Sequence, residues 1–173
     1  MPPLLAAAAL LLLLWAAWRD LATRQIPDAA ALMLAAGGAA LRLSQGLPEA
    51  AATLATAAVL FAALVFLHAK NLLGGGDVKL IAALALGLPP VATLDLLAAI
   101  ALCGGVLSLA YLALFRLRPA TILPAGRGRP LLLRVLAAER WRLRRRGPLP
   151  YALAIAAGGA LVLFAPAVVP PGG

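Results

Sequence analysis

Apolar residues fall in long runs along this chain, cut by short polar links. Residues 4–18 carry no charge and end in Arg19-Asp20. Further runs cover about 29–43, 50–67, 78–88, 92–115 and 151–169. Five of the six approach or reach the ~20 residues that an α-helix needs to cross a bilayer core of ~30 Å. The fourth is short: from Asp77 to Leu88 a helix rises only about 18 Å at ~1.5 Å per residue. Either that helix also uses residues 72–76, or Asp77 sits below the interface where the bilayer is thin. The pattern predicts an all-α polytopic membrane protein of about six transmembrane helices.

The breakers agree with these boundaries. Pro27 suits the first turn of the second helix, where its missing N–H costs nothing. Asp28 in that turn complements the positive helix end. Gly46 and Pro48 form the next turn, and Pro89-Pro90 stops the fourth run. Gly37-Gly38, and Gly104 with Ser108, are expected close-packing spots between helices. Within 116–150, the one long polar segment, residues 131–146 predict a basic interfacial helix. Leu132, Leu136 and Leu143 lie near one face, and Trp141 is the anchor. Residues 170–173 are expected to form a disordered tail.

Composition secures the class. The 173 residues are 64% hydrophobic and 12% charged, with a mean hydropathy of +1.01. Soluble domains run near ~45–50% apolar and ~25% charged. With one polar interruption only, residues 1–173 read as a single membrane-embedded domain. A net charge of +9 in a soluble protein would suggest nucleic acid. Here the basic residues fall between apolar runs, so they report topology and contact with anionic lipid headgroups, and no nucleic-acid partner is expected. Assigning the links after helices one, three and five to the cytoplasm places fourteen of the fifteen basic residues there, with only Arg42 opposite. Both termini are then outside, the basic 116–150 loop is cytoplasmic, and Asp20 and Asp77 share the cytoplasmic side.

The chemistry is narrow. Cys103 and His68 are each the single residue of their type, which excludes an intrachain disulfide and any Cys-based zinc cluster. No metal or cofactor is expected. The stretch Gly74-Gly75-Gly76-Asp77-Val78-Lys79 has no Gly-Lys-Ser/Thr after it and is not a phosphate loop. It places a carboxylate at the start of an apolar run, in a chain with only six acidic residues. An ionised Asp near lipid is costly, hence a functional candidate. The plainer account is an N-cap on the fourth helix. Two carboxylates at one level against an apolar wall are the parts of an aspartic protease: like charges close together cannot both ionise, so one proton is shared. The same pair would also serve a small proton- or cation-coupled transporter, or sit idle in a non-catalytic assembly subunit. Three glycines allow φ > 0 and close approach of a substrate backbone. Lys79, two residues from Asp77, is on a different helix face; snorkelling is its plainer role and substrate contact the sharper one. His68 reads as a helix-end residue.

The residues also resemble a known family. Gly74-Gly75-Gly76-Asp77-Val78-Lys79 is similar to the Gly-x-Gly-Asp-x-Lys motif of the type IV prepilin peptidases, which are membrane aspartic proteases. Trp18-Arg19-Asp20 with Arg24-Gln25-Ile26-Pro27-Asp28 resembles that family's first-Asp motif, with Asp28 where Asn is usual. Pro150-Tyr151 with Ala154-Ile155-Ala156-Ala157-Gly158 resembles the last-helix stretch of short members, with Ala152 where Gly is common. The resemblance implies catalytic roles for Asp20 and Asp77, and a pilin precursor, with a basic leader before a hydrophobic helix, as substrate. It implies a multi-pass protein of a bacterial inner membrane with its active site facing the cytoplasm. Lacking Cys-x-x-Cys pairs, the chain looks like the peptidase-only kind found with Flp/Tad-type pili. Asp28 enters as a third carboxylate, able to perturb the pair or stand in for Asp20.

Overall fold

The computed structural model describes residues 2–117 and 149–164. The expected interfacial helix at 131–146, the end of the sixth run at 165–169 and the tail at 170–173 lie outside them. Six α-helices account for the regular structure of the described residues: α1 Pro3–Thr23, α2 Asp28–Gln45, α3 Leu47–Ala69, α4 Gly75–Ala85, α5 Pro90–Leu117 and α6 Tyr151–Phe164. Three of them, α1, α3 and α5, are long and apolar enough to cross a membrane.

Several boundaries differ from the sequence pattern. Polarity at Arg19-Asp20 suggested that the first helix stops at 18, but it continues to Thr23. Arg, Leu and Ala are good helix formers, and the helix ends only where Arg24 turns left-handed (φ 57) with its N–H on the Asp20 carbonyl at 2.8 Å. Asp20 is therefore helical, one turn from the end. Pro27 is the N-cap of α2 rather than its first helical residue. At the end of α3, Asn71 takes a left-handed φ of 59. The Asn71 and Leu72 N–H groups then close on the carbonyls of His68 and Leu67, a Schellman arrangement that stops the helix sharply.

The short helices form the centre. α4 packs on α2, α3 and α6, while α6 packs on α5 and α1. Val78, Leu80, Ile81, Leu84 and Ile155 are all buried. Eleven residues give α4 a length of about 16 Å, roughly half the bilayer core, and its outer neighbours supply the rest of the apolar height. Glycine sets the approach at three crossings. A Cβ on Gly38 would lie 2.6 Å from the backbone nitrogen of Gly87, and one on Gly158 2.7 Å from that of Ile100. A Cβ on Gly159 would lie 2.9 Å from Leu13. Gly38 thus bears out the expected close packing on α2, whereas Gly37 faces open space. Because Gly38 meets Gly87 and Asp28 meets Lys79, α2 and α4 run parallel. Because Leu13 meets Gly159 and Asp20 meets Ala152, α1 and α6 run antiparallel. The end of α1 and the starts of α2, α4 and α6 consequently share one end of the bundle.

A carboxylate pair at one end of the bundle

Asp77 is not the N-cap of α4. Gly74 occupies that position with extended backbone (φ −70, ψ 141), and Asp77 is the third helical residue. Its carboxylate turns back, accepts the Gly74 N–H, and lies 2.7 Å from where a Gly74 Cβ would stand. This is the reciprocal half of a capping box, which satisfies one of the helix's unpaired donors. None of the three glycines takes a positive φ. Their small size is used in another way: a Cβ on Gly75 would meet His68 at 3.3 Å, and one on Gly76 would meet Ile26 at 3.0 Å.

The loop into α4 is held from α3. The His68 ring donates from Nδ1 to the Leu73 carbonyl at 2.9 Å, closing the turn that delivers Gly74. His68 does end its helix, as its position suggested, and it also braces the glycine stretch.

Asp20 reaches the same place from α1. It is buried, 9% exposed, and its Oδ2 accepts the backbone N–H of Ala152 at 3.3 Å. Asp20 and Asp77 are close enough for the charge of one to act on the other. The phenol of Tyr151 is in turn within electrostatic reach of Asp77, and its ring fills the space left by Gly104 on α5, 3.0 Å from where a Cβ would be. Ser108, the other half of that small-residue pair, returns its hydroxyl to the Gly104 carbonyl at 2.7 Å. The first turn of α6 thus donates to Asp20 and lies within electrostatic reach of Asp77. A backbone donor carries no side-chain signature, and only the Pro150-Tyr151 resemblance pointed to this segment.

Lys79 and Asp28 pair with each other. Lys79 Nζ lies 2.8 Å from Asp28 Oδ1, and both side chains are more than half exposed. Lys79 is about 200° around α4 from Asp77, so the pair is on the far side of the helix from the two carboxylates. A cleft of about 440 Å³ opens there between α2, α3 and α4, lined by Asp28, Lys79, Ala82, Ala83, Leu86 and Phe61 among others. Neither Asp20 nor Asp77 lines it, so this cleft is not the chamber of the pair. No group of three or more His, Cys, Asp or Glu arranged to hold a metal ion occurs among the described residues.

Helices long enough to span a bilayer, packed around a short central helix with two acids at one end, define a helical membrane protein with a polar site in its wall. Compared with family models, residues 7–109 match the one described as the type IV leader peptidase family. The chain belongs to that family, and so to a family of membrane proteases. The match covers α1 to most of α5, with Asp20 and Asp77 inside it and α6 beyond it. Neither the comparison with curated proteins nor that with solved structures gave a match.

Proposed function

We propose that this chain is a membrane aspartic endopeptidase that removes the basic leader from pilin-like precursors, with Asp20 and Asp77 as its catalytic pair. The observation that supports the reading is that these two acids, 57 positions apart on α1 and α4, lie at one end of the bundle within electrostatic reach of each other. Family membership supports the protease class. In the reaction, one carboxylate takes a proton from water as its oxygen bonds to the scissile carbonyl carbon, and the other gives its proton to the carbonyl oxygen. On collapse the C–N bond breaks. The leaving nitrogen takes the proton held by the first carboxyl, and a hydroxyl returns one to the second. The pair is restored and one water has been consumed.

The wider proposal is a single domain of six spans with both termini outside and the basic 116–150 segment in the cytoplasm, in the inner membrane of a bacterium. It would be a peptidase of the Flp/Tad kind. Of the proposed substrate-binding glycines Gly74, Gly75 and Gly76, exposed Gly74 leaves the room for an extended substrate backbone to pass Asp77, while Gly75 and Gly76 let the start of α4 seat against His68 and Ile26. Lys79 stands at the same end as a substrate contact, its ammonium on Asp28. The test is co-expression with a candidate pilin precursor, following leader removal. Asp20→Asn and Asp77→Asn each abolish processing while the membrane protein accumulates normally. Cleavage at the wild-type rate by either variant rules out the pair.

A further inference from the structure

We propose that the cleft between α2, α3 and α4 seats the first two turns of the precursor's hydrophobic helix. The scissile segment then crosses the start of α4 in extended form to reach the two acids. The inference rests on the leader-peptidase reading above and adds where the membrane part of the substrate binds.

The cleft has the form of a helix seat. On each of its three helices four lining residues fall at i, i+3, i+4 and i+7, counted from Asp28 on α2, Leu54 on α3 and Lys79 on α4. That spacing marks one face of an α-helix over two turns, about 10 Å. Ala31, Ala57 and Ala83, one from each helix, are buried and make the floor. Leu32, Leu54 and Phe61 stand exposed along the rim. Small residues below let another helix come close, and the large apolar ones beside it cover its flanks.

The position of the cleft points to its occupant. Asp28 and Lys79 stand at its mouth, at the end of the bundle that holds Asp77. A precursor helix with its leader at that end runs parallel to α2 and α4. Its positive N-terminal end and the basic leader then face the exposed carboxylate of Asp28. The cleft and Asp77 lie on opposite faces of α4, so the chain joins them by passing over the start of that helix. An α-helix is about 10 Å across, a span covered by about three extended residues at ~3.3 Å each. Gly74, exposed and without a side chain, marks the crossing. The seat therefore selects a precursor whose apolar helix begins about three residues beyond the scissile bond.

The test uses the full-length protein in lipid bilayers with its full precursor, in the Asp77→Asn background so that the complex is not consumed. A benzophenone-bearing residue replacing Leu32 or Phe61 is expected to cross-link the precursor within its first two helical turns. The same probe replacing Val59, exposed on the other face of α3, is expected to label lipid. Labelling of lipid alone, or of a second copy of this chain, from Leu32 and Phe61 overturns the inference, as does equal labelling of the precursor from Val59. A second measurement does without the probe. Ala58→Phe puts a ring into the cleft from an exposed position. It is expected to lower kcat/KM for the full precursor about tenfold relative to that for a leader peptide lacking the hydrophobic helix, the scale of exclusion from an apolar pocket. An unchanged ratio overturns the inference. Either failure with Asp20→Asn inactive removes the seat alone, whereas an active Asp20→Asn removes the catalytic pair.

Discussion

Lys79 reaches across from α4 to Asp28 at the start of α2, with 2.8 Å between ammonium and carboxylate. That contact gives the Asp28 carboxylate a cation of its own, away from the two acids. A third carboxylate beside Asp77 would have been able to replace Asp20; instead Asp28 faces a cation on the opposite side of the helix. Asp28→Asn is therefore expected to retain leader cleavage within about fivefold of wild type, since exposed ion pairs contribute ~0–1 kcal/mol. A precursor-processing assay beside Asp20→Asn checks this. Loss of activity as complete as in Asp20→Asn would put Asp28 in the reaction.

The Tyr151 ring depends on an absent side chain. A Cβ on Gly104 would stand 3.0 Å from the ring Cε2 and 3.1 Å from the phenol oxygen, so Gly104→Ala must push the ring away from its place near Asp77. Misplacing a group beside reacting atoms by a fraction of an ångström commonly lowers rate strongly. Gly104→Ala is expected to lower kcat by about tenfold, with KM less affected. Tyr151→Phe, which keeps the ring, separates the phenol from the packing. Wild-type kcat in Gly104→Ala would show that the ring position is irrelevant to the chemistry.

The order of helices, and the placing of two acids at one end, were legible in the sequence because apolar runs and Lys/Arg links report them directly. The register within each helix was not. Arg19 and Asp20 look like the polar end of a span, yet helix-forming neighbours carry α1 to Thr23, and this makes Asp20 a helical residue facing α6. Asp77 looks like a cap, but Gly74 caps and Asp77 folds back onto it. Gly37 and Gly38 are indistinguishable by composition, and only the position of α4 decides which is needed. The Ala152 donor is a backbone atom with no side-chain signal, and the Lys79–Asp28 pair joins positions 51 apart.

At the other end of the bundle, Arg42 Nε donates to Thr53 Oγ1 at 2.9 Å, and its guanidinium also reaches Gln45. Thr53 is 2% exposed, so the bond ties the end of α2 to the first half of α3 in a place with little water. Thr53→Val keeps the shape and removes the acceptor, at an expected cost of about 1–2 kcal/mol. A lower unfolding midpoint in detergent, with kcat/KM unchanged, is the expected result. A matching drop in kcat/KM under conditions where the protein stays folded would contradict the separation of this end from the site.

Gly38 and Gly37 form a matched pair on one helix. A Cβ on Gly38 would lie 2.6 Å from the Gly87 nitrogen, 2.8 Å from its Cα and 3.0 Å from the Leu86 carbonyl carbon, whereas one on Gly37 would meet nothing within 4 Å. All three obstructing atoms are backbone, so no rotamer change relieves the clash, and α2 and α4 must separate. Overpacking of this kind costs about 1–3 kcal/mol. Because α4 carries Asp77 at its far end, the separation also displaces the carboxylate. Gly38→Ala is expected to lower both the unfolding midpoint and the rate of leader removal. Gly37→Ala is expected to be neutral or slightly stabilising, since alanine favours the helix over glycine by about 1 kcal/mol. Thermal unfolding in detergent and the processing assay, run on both variants, check the pair. Equal effects at the two positions would mean that α2 and α4 do not meet at Gly38.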